Sequence, residues 1–382
     1  MPGECNMQLL KKSALCFLLL SLAPLLAQEV GFTLPLTISA GLLQTHRLQS
    51  SNQHARPVSG AFRTMFYPSL KLGPHWFAYS AIQVSSSPYF YFESNSATNR
   101  VKARVIQGFL GYTKSGERNS ITFKAGQLAS AFGSFPLRYD DAVNPLLDAP
   151  LSYGSSDYGN FPVTLYGLPG VELDANAGRV DARLQFTNSS PANAKNLLSG
   201  DQNPNWAGGA GYTIRQGFRV GASVYHGAYL VVGRFLLPTE NTRDWPMTAV
   251  GVDAQWARGR WSAGGEWQRV PYPYPRYVIS PTLNYGYVEV KTVLDPRLYV
   301  ATRLGFNTYS QIQRFGMPNS IPLRPNRQAY ELAFGYRLSR LQLIKVGYEW
   351  LHRNGVPRTR ENVFGVQFIT SIAGFSKALH RI

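Results

Sequence analysis

The chain alternates between polar and apolar positions. Across Arg179-Val180-Asp181-Ala182-Arg183-Leu184-Gln185-Phe186-Thr187 every odd position is polar and every even one apolar. Successive side chains of extended backbone point to opposite faces. This run therefore predicts a strand with Arg179, Asp181, Arg183 and Gln185 on one side and Val180, Ala182, Leu184 and Phe186 on the other. The same period of two recurs at 261–268, 288–291 and 330–337, and helical periodicity is scarce. Sixteen strands are predicted, at about 34–45, 61–72, 75–94, 101–113, 119–128, 162–174, 179–188, 206–214, 217–228, 247–256, 260–269, 282–293, 297–308, 328–337, 341–351 and 361–372.

The connections sharpen this pattern. After each even strand the break is short, as in Gly73-Pro74, Arg215-Gln216 and Ala257-Arg258-Gly259. After odd strands it is usually long, as at 46–60, 129–161, 189–205 and 309–327. Short turns at one end and long loops at the other are what an up-and-down antiparallel transmembrane β-barrel requires. The expected fold is all-β, with about sixteen strands and an inward-folded constriction loop, a width that leaves an aqueous channel. With the N-terminus in the periplasm, the long loops emerge outside.

The ends and the composition agree. Lys11 and Lys12 precede an apolar run from Ala14 to Leu22, and a short c-region ends at Leu25-Leu26-Ala27. That order predicts a secretory signal peptide over 1–27, with one mature barrel over 28–382. The alternative, a membrane anchor, is disfavoured because the run is short for a spanning helix. Cys5 and Cys16 both fall in this segment, so the mature chain carries no disulfide or thiolate site. Charged residues make up 15% of the chain, below the roughly 25% usual for soluble domains, while aromatics reach 13%. Without Lys11, Lys12 and Glu4 the mature chain keeps 36 basic and 20 acidic residues. Nucleic acid is not an expected partner of an exported chain. The positive charge is expected to act on permeating ions or on lipid headgroups. The expected location is the outer membrane.

One loop is too apolar to extend into water. Between Ala129 and Phe161, the side chains Phe132, Phe135, Leu137, Val143, Leu146 and Leu147 need a surface to pack on, and the barrel's inner wall supplies one. Here the chain resembles the sixteen-stranded bacterial general porins, whose loop after strand five narrows the pore. Gly126-Gln127-Leu128 and Phe132-Gly133 resemble the strand-five exit of outer-membrane porins, the phosphate-selective group included. The resemblance implies a constriction built with Arg138, Asp140 and Asp141, to which the acidic excess of the loop adds Asp148 and Asp157. The alternative is that Asp140-Asp141 caps a loop turn. A carboxylate calcium site lacks the ligand spacing, and no cofactor or metal is expected.

Alternation places Lys102, Arg104, Lys124, Arg179, Arg183, Arg219, Lys291, Arg303, Arg337 and Lys345 on the lumenal wall. Six acids join them there: Asp181, Asp253, Glu266, Glu289, Glu331 and Glu349. The basic surplus predicts an anion preference, with a field between acidic loop and basic wall orienting solutes in transit. The expected function is passive diffusion of small hydrophilic solutes. The rivals are a non-conducting surface anchor or adhesin, and an exported soluble glycan-binding protein. Six histidines, among them His46 and His54, lie outside any hydrolase motif, and the strand number exceeds what barrel hydrolases need, so the chain is expected not to be an enzyme.

Trp76, Trp206, Trp256, Tyr67, Tyr112, Tyr225 and Tyr336 are expected in interfacial girdles. Gly208-Gly209-Ala210-Gly211 is expected as a protomer contact or a bend, and a homotrimer is the assembly to be tested. The stretch 270–275 is expected as a stiff exposed loop, with a ligand for a polyproline-reading partner as the alternative. Residues 376–382 are expected as a periplasmic tail beyond the last strand.

Overall fold

A computed structural model describes residues 30–45, 58–87, 89, 100–135, 140–154, 167–188, 204–230, 236–322, 325–354 and 362–379. The predicted leader 1–27, Arg138, Asp157, His46 and His54 lie outside the described residues.

Alternating sequence has become a closed antiparallel barrel of sixteen staves. In chain order the strands are β1 (Val30–Thr45), β2 (Val58–Phe66), β3 (Ser69–Leu72), β4 (Trp76–Ser87), β5 (Arg100–Ser115), β6 (Asn119–Leu128), β7 (Leu168–Ala177), β8 (Val180–Thr187), β9 (Asn205–Arg215) and β10 (Phe218–Ala228). They continue with β11 (Pro246–Arg258), β12 (Trp261–Pro271), β13 (Tyr277–Ile279), β14 (Thr282–Asp295), β15 (Leu298–Tyr309), β16 (Gln311–Arg314), β17 (Ile321–Pro322), β18 (Arg327–Arg337), β19 (Gln342–Arg353) and β20 (Val363–Leu379). β2 and β3 form one stave interrupted at Tyr67-Pro68, because proline cannot donate to the ladder. Tyr67 N–H instead donates to Pro35 O at 2.9 Å. β13, β16 and β17 form a small sheet of their own at the long-loop end.

β1 closes the barrel by pairing with β20 from Thr45↔Val363 to Val30↔Leu379. A bulge at Leu34–Leu36 faces Gly374, whose φ is +80°. A Cβ there would fall 1.8 Å from Leu34 O, so only glycine lets the strand pass the bulge. The last strand therefore reaches Leu379, and 376–379 belong to the wall instead of to the expected tail; 380–382 lie outside the described residues.

The period of two sorts the faces. Val180, Leu184 and Phe186 are exposed on the outer face, while Arg183 is half-buried and Gln185 buried inside. Other readings change. Tyr67 and Tyr225 belong to the lumen and not to a girdle: Tyr67 OH donates to Asp140, and Tyr225, 2% exposed, donates to Asn205 Oδ1 at 2.8 Å. Trp76, stacked edge-on with Tyr112 at 5.0 Å, keeps its place on the outside. The proline-rich stretch is not an exposed strap. Tyr272 is buried and meets Tyr229 edge-on at 5.5 Å, so a polyproline ligand is not presented. Gly209 and Gly211 face inward, so half of the small-residue run serves the lumen and not a protomer contact.

Candidate functional site

The loop that follows β6 runs inside the barrel. At its start Gln185 on β8 donates from Nε2 to Ala129 O at 2.7 Å and accepts Ala131 N–H at 3.3 Å. Phe132 and Phe135 then enter a buried cluster with Tyr225, Tyr229, Met247, Tyr272 and Tyr285. Burying each such ring is worth about 1.5–3 kcal/mol, which holds the loop down on the β9–β14 side.

Glu266 on β12 gathers four donor contacts there. Ser134 donates through N and Oγ at 3.3 and 3.0 Å, Tyr153 OH at 2.7 Å and Gln268 Nε2 at 2.6 Å. Gly133 stands beside this knot with φ +85°, where a Cβ would lie 2.2 Å from Tyr153 OH. Burial and the Glu266 carboxylate push the Tyr153 phenol well above its usual pKa, so it remains a donor.

After 136–139, which lie outside the described residues, the loop contacts the opposite wall. Asp140 Oδ1 accepts Ala142 N–H at 2.7 Å, so this aspartate does cap a turn, and its Oδ2 accepts the Tyr67 hydroxyl. Asp141 forms a two-pronged pair with Arg63 on β2, Nε to Oδ2 at 3.0 Å, and accepts Tyr89 OH at 2.6 Å. Burial raises the Asp141 carboxyl, but Arg63 and Lys345 more than offset it, so its pKa lies below the ordinary carboxylate value.

The return path follows the wall through β20, β19 and β15. Lys345 Nζ donates to the carbonyls of Asp141, Asn144 and Leu146 at 2.6, 2.7 and 3.0 Å. Leu147 packs over Gly347 and Gly365, where wall side chains are missing. Arg303, fully buried, pairs with Glu289 at 2.7 Å and Glu331 at 3.1 Å, and donates to Asp148 O at 2.9 Å and Asn144 Oδ1 at 3.1 Å. The Asp148 carboxylate is buried and accepts Ala149 N–H at 2.8 Å.

The expected site residues therefore separate. Asp141 and Asp148 are buried as anchors, and Asp140 is half-buried beneath Tyr67. On the wall, Arg303 and Lys345 hold the loop. Lys124 pairs with Glu172 at 2.8 Å and Asp174 at 2.5 Å, and Arg183 with Asp174 at 2.8 Å. Arg219 bridges Asp181 at 2.6 Å and Asp253 at 2.8 Å. Its guanidinium occupies the space a Gly211 side chain would need, 2.0 Å from that missing Cβ. Lys102 and Arg104 face inward opposite Ser85 and Gln83. Lys291 rests on the Tyr299 ring at 4.6 Å. Arg179 is exposed in the turn after β7 and belongs to the rim instead of the wall, and Arg337 ends β18 at the same rim. The expected basic surplus shrinks, because Glu172 and Asp174 also face the lumen. Their alternation in Val171-Glu172-Leu173-Asp174 was there to be found. Arg63 was missed because Ala61 and Met65 flank it on its own face.

Beneath the loop lies a cavity of about 430 Å³, lined in part by Ser134, Arg219, Gln255, Glu289 and Lys291.

This architecture is that of an outer-membrane β-barrel, and its place is the outer membrane. Three solved structures share the fold. OmpTΔL8, a loop L8 deletion mutant of OmpT, an outer membrane protein of Vibrio cholerae, is 11% identical over 90% of this chain and 99% of that one, with a TM-score of 0.55. In-vitro-folded OmpT of the same organism in its trimer form is 11% identical, covering 90% and 99% of the two chains, with a TM-score of 0.54. A further in-vitro-folded OmpT structure is 10% identical, covering 90% and 97%, at 0.54. No protein-family model and no curated protein matches the chain. The likeness corrects one expectation. The expectation that the chain is not an enzyme rests on histidines outside any hydrolase motif and on strand number, and the barrel shared with proteins named OmpT gives no ground for it, because fold sets no limit on chemistry. That expectation is withdrawn. The soluble glycan-binding reading falls as well, since the closed barrel turns apolar side chains outward.

Proposed function

We propose that the barrel is a porin, passing small hydrophilic solutes by diffusion through a lumen narrowed by the 129–161 loop. The observation that carries this reading is the seating of the loop inside the lumen, bonded to β8 and β12 on one side and β2, β15 and β19 on the other. A loop held at both walls partitions the lumen without closing it by its own motion. Because Lys124, Arg183, Arg219 and Arg303 are matched by carboxylates, an anion preference rests on Lys291 on the wall and Arg337 at the rim, with Lys102 and Arg104 also facing the lumen. Residues 1–27 are removed on export, and three copies assemble, as in the trimer form of the OmpT structure.

A second reading has its own observation. Phe132, Phe135, Tyr229 and Tyr272 fill the β9–β14 side of the lumen, which favours a non-conducting surface anchor. Purified protein in planar bilayers separates the two: discrete conductance steps are expected, and their absence would overturn the porin reading. Reversal potentials in a salt gradient then test selectivity. Anion preference falls in Lys291→Ala and Arg337→Ala; unchanged potentials would remove both from the permeation path.

A further inference from the structure

The short-turn end of the barrel is basic along one arc. Arg215, Arg258, Arg260, Arg297 and Arg340 occupy four successive turns, all exposed, and among the described residues no ion pair engages them. Asp295, the acid of these turns, accepts Arg297 N–H at 3.0 Å.

Directly above one of these turns the outer wall is hollow. Arg258 lies opposite Trp261, and the next outward positions toward the membrane centre are Trp256 with Ala263, then Ala254 with Gly265. These small residues floor a groove of about 470 Å³ walled by Trp256, Trp267 and Phe306. Gly286 lets Phe306 lie flat across it, since a Cβ there would meet the ring at 2.5 Å. Arg258 stands just past the groove, two residues beyond Trp256 on the same face, and an apolar groove at membrane depth with an exposed arginine beyond its end matches an acyl chain with an anionic headgroup.

We propose that this groove binds one anionic glycerophospholipid, with an acyl chain along Ala254, Ala263 and Gly265 and the phosphate at Arg258 and Arg260. The charge argues against a second copy of the chain. Two copies paired through this same face would set basic turns side by side, and like charges repel. The site lies outside the lumen, so it is independent of whether the barrel conducts.

The test is native mass spectrometry of the full barrel, delipidated in detergent and then offered phosphatidylglycerol or phosphatidylcholine. One phosphatidylglycerol is expected to be retained, with phosphatidylcholine retained at least about tenfold less. Each exposed arginine near an anionic lipid surface is worth about a fivefold change, so Arg258→Gln with Arg260→Gln should lower retention about 25-fold. Ala263→Leu should block the chain. Equal retention of both lipids, or wild-type retention by the arginine pair, would overturn the proposal. So would displacement of the lipid by inorganic phosphate, which would mark a free-anion site. Loss of an oligomer in Ala263→Leu would assign the groove to a second copy. If Ala263→Leu fails to fold, the surface arginine pair decides alone.

Discussion

Arg63 on β2 and Asp141 in the loop after β6 form a buried, two-pronged ion pair across 78 residues of sequence. It joins the barrel's early wall to a segment that begins on the opposite side. Tyr89, donating to the same carboxylate at 2.6 Å and accepting from Gln367 Nε2 at 2.9 Å, ties the pair to the closing strand β20. The arginine also lies over the Tyr89 ring at 4.8 Å.

Removing one partner of a buried pair leaves the other charge without a counterion, at a cost of about 3–5 kcal/mol. Arg63→Met should therefore destabilise the seated loop more than Asp141→Asn, which keeps hydrogen-bonding capacity. Protease accessibility of the loop in detergent, compared between the two variants, checks the order. A reverse order would mean that the pair does not fix the loop.

The same carboxylate sets a pH limit. Its folded pKa lies below its unfolded value of about 3.9. Its contribution to stability is therefore complete above that value and disappears as pH falls through the folded pKa. Thermal melts should show the difference between wild type and Asp141→Asn constant from pH 8 to about 5 and shrinking only in stronger acid. A difference that vanished near pH 6 would refute the assignment.

The barrel was legible because its wall is a one-dimensional pattern. Period-two alternation placed Asp181, Arg183, Arg219 and Arg303 on the inner face without knowledge of any neighbour. The loop's inward path was legible as well, from apolar residues that water would not hold. Partners across the lumen were not, because the distance between Arg63 and Asp141 along the chain says nothing about contact. Charge counting alone made Lys345 a selectivity residue, whereas it is buried and bound to three loop carbonyls. Inward-facing glycines were the overlooked signal. Gly347 and Gly365 lack the side chains that would block Leu147, so single glycines on the lumenal face mark the loop's track.

Gly133 gives a sharp steric test. Gly133→Ala combines a left-handed φ of +85° with a Cβ 2.2 Å from Tyr153 OH and 2.8 Å from Glu266 Oε1. Gly178→Ala, in the turn after β7, meets φ +60° but open space. The turn variant should lose about 1 kcal/mol from backbone strain alone. The loop variant should lose more, and should also release the Ser134 contacts with Glu266. Chemical denaturation of both, alongside wild type, measures the gap. Equal losses would show that the knot around Glu266 is loose.

Arg303 is the hardest residue to replace and the most informative. It is fully buried between Glu289 and Glu331 and also donates to Asp148 O and Asn144 Oδ1. Arg303→Met leaves two buried carboxylates facing each other without a cation, so a loss of about 3–5 kcal/mol is expected, often enough to prevent assembly. Adding Glu289→Gln and Glu331→Gln removes both charges and lets the amides bond to the loop carbonyl and Asn144. The triple variant should therefore recover most of the stability, a non-additivity of several kcal/mol between neighbouring sites. Heat-modified mobility of the folded barrel on gels, scored across the single, double and triple variants, reads this directly. If the triple variant is no better than Arg303→Met, the arginine acts through its bonds to the loop and not by neutralising the wall.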